Sequence, residues 1–160
     1  MPDLISQYRQ MHEAGHFDGR SLEHHIPAIR SLIKETNSTT VLDYGCGKAY
    51  LWKEEHLADD LGVTVALYDP AVVGIAKLPD GPFDGVICTD VLEHIPAQSM
   101  NNVINAIFMR ARKFVFLSIC TREARKTLPD GRNCHVTIRP ELWWSEKIGG
   151  RQVRTQVVFT

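Results

Sequence analysis

The sequence predicts an α/β fold in which a mostly parallel, twisted sheet carries helices on both of its faces. Short apolar runs typical of strands alternate with segments of helical periodicity along most of the chain, and this alternation is the pattern of parallel sheets. The length of 160 residues and the hydrophobic content of 44% suit one domain with a substantial core. We therefore expect a single domain with no internal repeats.

Two helices are predicted ahead of the sheet. Residues 3–14 suit a short helix, which Gly15 and Gly19 end. Residues 21–37 place four apolar side chains on one helix face: Leu22, Ile26, Ile29 and Ile33. Pro27 is either the first residue of this second helix or a kink within it.

The predicted core spans 38–160, and 1–37 form an N-terminal helical segment that belongs to the same domain. Strands are expected at 39–44, 63–69, 83–90, 113–120 and 152–160, and helices at 48–62, 97–111 and 140–148. The segment 71–82 is short and ambiguous. Residues 121–139 show no periodicity, and a loop of this length after the carboxyl end of a strand suits a lid or a binding segment.

Composition and charge restrict the partners. The formal net charge is −1, so no global field attracts nucleic acid or an anionic membrane. The four cysteines show no C-x-x-C spacing, and no signal peptide or long apolar run is present. These features predict reduced thiols and a cytoplasmic location, with neither DNA nor a membrane as a partner.

A glycine-rich turn follows the first predicted strand. Asp43-x-Gly45-x-Gly47 lies where ligands bind in open parallel sheets, beyond the carboxyl ends of the strands. Glycines allow backbone angles closed to other residues and let a ligand approach the main chain. Asp69 follows Gly47 by 22 residues and lies at the end of the next strand. A carboxylate at this spacing can accept hydrogen bonds from both hydroxyl groups of a ribose. The pattern therefore favours an adenosine-type ligand.

The charge of the turn selects among such ligands. A dinucleotide would require a third glycine where this chain has Ala49, with its phosphates at the helix end. Asp43 would repel a pyrophosphate but suits a ligand with positive charge. S-adenosylmethionine is such a ligand, since it combines an adenosine with a sulfonium and an ammonium group.

Three segments then resemble the motifs of class I S-adenosylmethionine-dependent methyltransferases. VLDYGCGKA (41–49) is similar to their first motif, LYDP (67–70) to their second acidic motif, and FDGVICTDVLEHIP (83–96) to their fourth-strand motif. The resemblance extends from about residue 38 to residue 145. It implies a Rossmann-like domain that uses S-adenosylmethionine and releases S-adenosylhomocysteine.

The resemblance also implies a set of cofactor-binding residues. Asp43, Tyr44, Gly45 and Gly47 would line the methionine half, and Asp69 would hold the ribose hydroxyls with Pro70 near the adenine. Asp90 and Val91 would flank the methionine and sulfonium region. Tyr8 in the N-terminal segment would cap the methionine carboxylate, with His12 as a second candidate.

One unit of the family fold is expected to be shortened or missing. Only 13 residues separate Asp69 from Phe83, too few for the usual third strand and its helix. Members of the family often read adenine from that strand, so either LPDG (78–81) or the N-terminal segment must replace it here. A reduced sheet also leaves unpaired edges, which favours a homodimer.

His94, Glu93 and His135 are the candidate catalytic residues. Methyl transfer is an in-line displacement, so the protein must mainly align the acceptor, the methyl carbon and the sulfur. A base is needed only when the acceptor has to lose a proton, and a histidine can serve a hydroxyl or a phenol. The fourth-strand motif places Glu93 and His94 near the methyl group, whereas His135 belongs to the long loop.

A divalent metal is the less favoured interpretation of the same residues. Asp90-x-x-Glu93-His94 with a distant His135 resembles the Glu-x-x-Glu-His pattern of small-RNA 3′-end 2′-O-methyltransferases, although Asp90 replaces a glutamate. Such a set could bind a metal that lowers the pKa of a hydroxyl. The neutral net charge and the lack of an RNA-binding module count against RNA as a partner.

The leading hypothesis is a methyltransferase that acts on a small molecule at oxygen. No Asn-Pro-Pro-Tyr run follows the fourth strand of the family pattern, and CTDVLEHI is similar to the turn of enzymes with small-molecule acceptors. Basic residues of the long loop suit an anionic acceptor or simply a solvated loop: Arg122, Arg125, Lys126 and Arg132. The alternatives are a metal-assisted RNA 2′-O-methyltransferase and a non-catalytic protein that binds S-adenosylmethionine.

Overall fold

Five parallel strands form one sheet at the centre of the computed structural model, which describes residues 3–160. The strands are β1 (Thr40–Tyr44), β2 (Thr64–Tyr68), β3 (Phe83–Thr89), β4 (Ala111–Ile119) and β5 (Arg154–Phe159). Their order across the sheet is β2-β1-β3-β4-β5, and all neighbouring pairs are parallel. The predicted α/β class with a parallel sheet is confirmed.

Helices cover both faces of this sheet. They are α1 (Leu4–Glu13), α2 (Ile26–Thr36), α3 (Tyr50–Lys53), α4 (Leu57–Leu61), α5 (Met100–Phe108) and α6 (Glu141–Ile148). Successive strand residues point to opposite faces, so Leu42 and Val86 pack with α5 and α6, while Val41 and Ile87 pack with α2, α3 and α4. No helix in residues 3–160 is both long and apolar enough to cross a lipid bilayer.

Local signals set the ends of the first two helices. The Asp3 carboxylate accepts a hydrogen bond from the Ser6 backbone N–H at 3.0 Å and so caps α1. Pro27 lies in the first turn of α2, where its missing N–H costs nothing. It therefore lies at the start of this helix and does not kink it. Asn37, in a left-handed conformation with φ of 47°, ends α2.

The single helix predicted for 48–62 is wrong, because the chain breaks there into α3 and α4. His56 has a φ of 53° and separates the two short helices. On one continuous helix, Leu57 would point about 140° away from Trp52. The break allows both side chains to enter the same apolar cluster beneath the sheet, so burial overrides helical continuity.

The segment between β2 and β3 contains no helix and no strand, which confirms that the third strand and helix unit is missing. The chain leaves β2 at one edge of the sheet and returns past β1 to form β3. The strand order thus reverses between β1 and β3. In open α/β sheets the crevice at such a reversal is where ligands bind.

The long loop after β4 is ordered by contacts with α1. Leu128 and Cys134 of the loop are buried against Met11. The Gln7 side-chain amide donates to the Asp130 carboxylate at 2.9 Å, and the Asp130 backbone N–H donates to the side-chain oxygen Oε1 of Gln7 at 3.2 Å. These contacts fix α1 and the loop to each other at the carboxyl edge of the sheet.

We predict that Gly85→Ala destabilises the protein by about 2 kcal/mol, the range for an overpacked core. A Cβ atom at Gly85 would lie 2.2 Å from the Phe114 ring on β4. Urea denaturation measures the loss, and a double-mutant cycle with Phe114→Leu should recover part of it because the smaller side chain makes room. Equal stability of Gly85→Ala and wild type would show that this contact does not constrain the sheet.

Candidate active site

A cavity of about 590 Å³ lies at the point where the strand order reverses. Three turns at the carboxyl ends of β1, β2 and β3 form its floor, and α1 with the loop that follows it forms the opposite wall. The volume falls within the range of about 300–1,000 Å³ that is usual for sites of small molecules and cofactors.

The glycine turn brings the ends of β1 and β3 into close contact. Gly45 has a φ of 82°, and a Cβ atom there would lie 2.4 Å from Cγ2 of Val91. Glycine is therefore required at position 45 by the neighbouring turn as well as by its own backbone angle. Gly47 faces the other way, and a Cβ atom there would lie 3.4 Å from the His12 ring. Both glycines and Val91 line the cavity.

Ala49 adopts the conformation that the expected third glycine would supply. Its φ is 57°, in the left-handed region, and its side chain is buried in the cluster with α2, α3 and α4. The turn thus keeps its shape without glycine, at the conformational cost of a left-handed alanine.

Asp69 is held rigidly at the end of β2. Its Oδ2 accepts a hydrogen bond from the Gly47 backbone N–H at 2.9 Å, and its Oδ1 accepts one from the Ala71 backbone N–H at 2.8 Å. The carboxylate is buried and lines the cavity. Each oxygen retains further acceptor capacity, so the predicted role of holding two ribose hydroxyls is compatible with these bonds.

Asp43 lies beneath the turn and does not line the cavity. Its Oδ2 accepts the Trp52 indole N–H at 2.6 Å, and the side chain is 3% exposed. Burial raises the pKa of Asp43 to about 7. The sequence placed this residue along the methionine half of a cofactor, whereas its contacts are those of an internal support for the glycine turn.

Asp90 follows β3 in an unusual conformation. Its φ is 54°, and a non-glycine residue in the left-handed region usually requires support from its surroundings. That support comes from Ser118 on β4, whose carbonyl accepts the Asp90 N–H at 2.9 Å and whose hydroxyl donates to the carboxylate. Asp90, Tyr44 and Pro70 all line the cavity, and their contacts with a cofactor stay predictions.

The N-terminal segment forms one wall of the cavity, and its residues His12 and Tyr8 contact different parts of the structure. His12 lies over Gly47, whereas the Tyr8 hydroxyl donates to the Cys134 carbonyl at 2.6 Å. Phe17 packs between them, 4.9 Å from the His12 ring and 6.5 Å from the Tyr8 ring. Asp18, Gly19 and Ser21 also line the cavity, and the sequence offers no signal for these three beyond their proximity to Phe17.

His94 is the one candidate catalytic residue that lines the cavity. Its Nδ1 lies 2.9 Å from the Cys134 carbonyl, which can only accept, so Nδ1 carries the proton. The lone pair of the ring is then on Nε2. Burial lowers the pKa of His94 to about 4, which makes the ring neutral at pH 7. Tyr8 packs edge-on against it at 5.3 Å.

Glu93 and His135 lie outside the cavity lining. Glu93 is fully buried, its Oε1 accepts the Cys120 backbone N–H at 3.0 Å, and burial raises the pKa of this carboxyl to about 8. His135 Nδ1 donates to the Arg122 carbonyl at 2.6 Å. The geometry gives neither residue a contact with the cavity, so a direct role for them in catalysis stays a prediction.

The predicted metal-ligand set comes together only in part, because Glu93 and His135 approach each other without Asp90 and His94. Among residues 3–160, the one group of three or more His, Cys, Asp or Glu with donor atoms within 4.8 Å combines Glu93 and His135 with Cys120. Of the basic loop residues, Lys126 alone lines the cavity, where its ammonium lies 5.0 Å from the centre of the Phe17 ring.

The parallel sheet, with its cavity beside a glycine turn and an acidic residue that follows the next strand, is consistent with a Rossmann-like methyltransferase fold. Residues 15–152 match the family described as methyltransferase domain, and the chain belongs to this family. No curated protein matches the sequence significantly. The family implies S-adenosylmethionine as the methyl donor, and the cavity volume, the buried Asp69 carboxylate and the close glycine turn fit that molecule.

We expect Asp69→Ala to lower the affinity for S-adenosylmethionine at least tenfold, because two ribose hydroxyls lose their acceptor. Isothermal titration calorimetry measures the change, with the exposed Asp80→Ala as the matched control. Since Asp69 also anchors Gly47 and Ala71, urea denaturation must show that the variant is folded. Unchanged affinity would remove Asp69 from the cofactor site.

The raised pKa of Asp43 predicts a pH dependence of stability. Between about pH 4 and pH 7 the folded protein keeps a proton on Asp43 that the unfolded chain has released. This group therefore stabilises the fold fully below pH 4, and the contribution is lost as the pH rises to 7. Asp43→Asn should flatten the fall in unfolding free energy by up to about 1.4 kcal/mol per pH unit. Parallel pH profiles for both proteins would contradict the assignment.

Proposed function

We propose that the protein transfers a methyl group from S-adenosylmethionine to an oxygen atom of a small, largely apolar molecule. The observation that carries this proposal is the continuity of one cavity, which extends from the glycine turn and Asp69 to the rings of Tyr8, Phe17 and His94. The first part suits a cofactor with an adenosine group. The second part suits an acceptor.

The cofactor is proposed to lie along the ends of the strands. Asp69 accepts the ribose hydroxyls, Gly45 and Gly47 border the methionine part, and Asp90 provides negative charge near the sulfonium. Of the two segments expected to replace the missing third strand, α1 lines the cavity through Leu4 and Ile5, whereas 78–81 do not. This supports the N-terminal segment as the cap over the cofactor.

The acceptor is proposed to be flat and apolar with one acidic or hydroxyl group. Tyr8, Phe17 and His94 offer ring surfaces, and rings of this kind favour stacked or edge-on contacts with a planar ligand. Lys126 is the one lysine or arginine in the described lining. A single cation beside these rings favours a phenol or an aromatic carboxylic acid.

Alignment is the main contribution that this chain can make to the reaction. S-adenosylmethionine, when bound, supplies the methyl group together with its sulfonium leaving group. The Cys134 carbonyl fixes the His94 ring with Nδ1 protonated, so Nε2 can accept a hydrogen bond from the hydroxyl of the methyl acceptor and take its proton as the new O–C bond forms and the S–C bond breaks. That bond would direct an oxygen lone pair towards the methyl carbon. Tyr8 and Phe17 would hold the acceptor and exclude water.

The test is turnover with a panel of phenols and hydroxybenzoic acids, detected as S-adenosylhomocysteine. We expect His94→Ala to lower kcat/KM by 10- to 100-fold while the Kd for the cofactor changes less than threefold, because His94 orients the acceptor. His24→Ala, at an exposed position, is the control. Tight cofactor binding with no turnover on any acceptor would instead identify a non-catalytic binding protein.

A further inference from the structure

A second polar cluster lies outside the cavity, where three separate segments meet. Glu93 belongs to the turn after β3, Cys120 follows β4 directly, and His135 lies in the second half of the long loop. Their donor atoms, a carboxylate oxygen, a thiol sulfur and an imidazole nitrogen, all lie within 4.8 Å of one another. None of the three residues lines the cavity.

Glu93 has an unsatisfied oxygen in this cluster. The residue is 0% exposed, and while Oε1 accepts the Cys120 N–H, Oε2 has no hydrogen-bond partner. Leaving a buried polar oxygen without a partner is costly. The Thr137 backbone N–H donates to the Glu93 carbonyl at 3.0 Å, so the chain on both sides of the cluster is fixed around it.

A hydrogen bond to a backbone carbonyl sets the tautomer of the neutral His135 ring. Its Nδ1 lies 2.6 Å from the Arg122 carbonyl, and because a carbonyl cannot donate, Nδ1 carries the proton of the neutral ring. The lone pair is therefore on Nε2. A hydrogen bond from one ring nitrogen to a backbone carbonyl is the usual way in which a metal-binding histidine is oriented.

Cys120 supplies the third donor. Its thiol is not in a disulfide, and the residue is 8% exposed. One thiolate, one imidazole and one carboxylate combine the donor types that zinc prefers, and three protein ligands leave a fourth tetrahedral position for water.

We propose that Glu93, Cys120 and His135 form a binding site for one divalent transition-metal ion, with zinc the best match to the donor set. The site would connect the turn after β3, the end of β4 and the long loop. That loop contributes Lys126 to the cavity and the Cys134 carbonyl to Tyr8 and His94. A bound metal would thereby stabilise the loop without taking part in the reaction.

Cobalt titration of the chelator-treated protein tests this site directly. We expect one equivalent of Co²⁺ to bind. A thiolate-to-cobalt charge-transfer band should appear in the near ultraviolet, and the absorption bands in the visible range should have the high intensity that tetrahedral cobalt shows. One equivalent of Zn²⁺ should then abolish both signals. Because neither cofactor nor acceptor is present, the result is independent of whether the protein transfers methyl groups.

Variants show whether the metal binds at this cluster. Cys120→Ser should abolish the charge-transfer band, and His135→Ala should weaken cobalt binding at least tenfold. Cys88→Ala, which removes a buried thiol in the core between β3 and α5, and the exposed His24→Ala should leave the titration unchanged.

Thermal unfolding gives a second readout. Zinc should raise the unfolding temperature of the wild type by several degrees and leave that of Cys120→Ser unchanged, since only the native site binds the ion. The proposal is overturned if the wild type binds neither ion stoichiometrically. It is equally overturned if Cys120→Ser and His135→Ala bind as tightly as the wild type, which would mean adventitious binding elsewhere.

Discussion

The contact between Gly45 and Val91 is the constraint on which the site depends. It brings the turns after β1 and β3 together at a distance that leaves no room for a side chain at position 45. With β1 fixed in this way, the backbone N–H groups of Gly45 and Cys46 both reach the Tyr68 carbonyl at the end of β2, at 2.7 and 3.1 Å. Asp69 then completes the link through Gly47. Three strand ends thus become one rigid floor, and the cavity takes its shape from that floor.

The roof of the cavity is built differently, from segments that are distant in sequence. The missing third unit leaves the floor uncovered on one side, and α1 covers it, with Arg9 donating to the Pro70 carbonyl at 3.4 Å. The long loop then packs on α1 through a small apolar cluster of its own. Such local clusters open at a lower free energy than the core of a sheet. On this basis we expect the roof of the cavity to open more readily than its floor.

Local patterns in the sequence predicted the elements that depend on local physics. Alternation predicted the strands, and the glycine turn with Asp69 predicted where the cavity lies. The break at His56 was missed, because it depends on burying Trp52 and Leu57 together. The Trp52 indole N–H likewise donates a hydrogen bond to Asp43, and no sequence motif predicts this contact between residues nine positions apart. Cys120 joins Glu93 and His135 only because β3 and β4 are neighbours in the sheet. Contacts of this kind depend on which strands are neighbours in the sheet, and no local sequence pattern predicts that.

The position of α1 has a practical consequence for handling the protein. Asp3, Leu4 and Ile5, the first residues of the described chain, are part of the cavity wall. A histidine-rich tag fused at the amino end is attached close to this wall, so its imidazoles are within reach of the cavity and of added metal. Strand β5, which precedes the carboxyl end, forms one edge of the sheet, and β2 forms the other. Thr160 in turn hydrogen-bonds to Ile119 and Thr121, on either side of Cys120, so a histidine-rich tag at the carboxyl end is attached beside the proposed metal site. Metal titrations therefore require protein from which the tag has been cleaved.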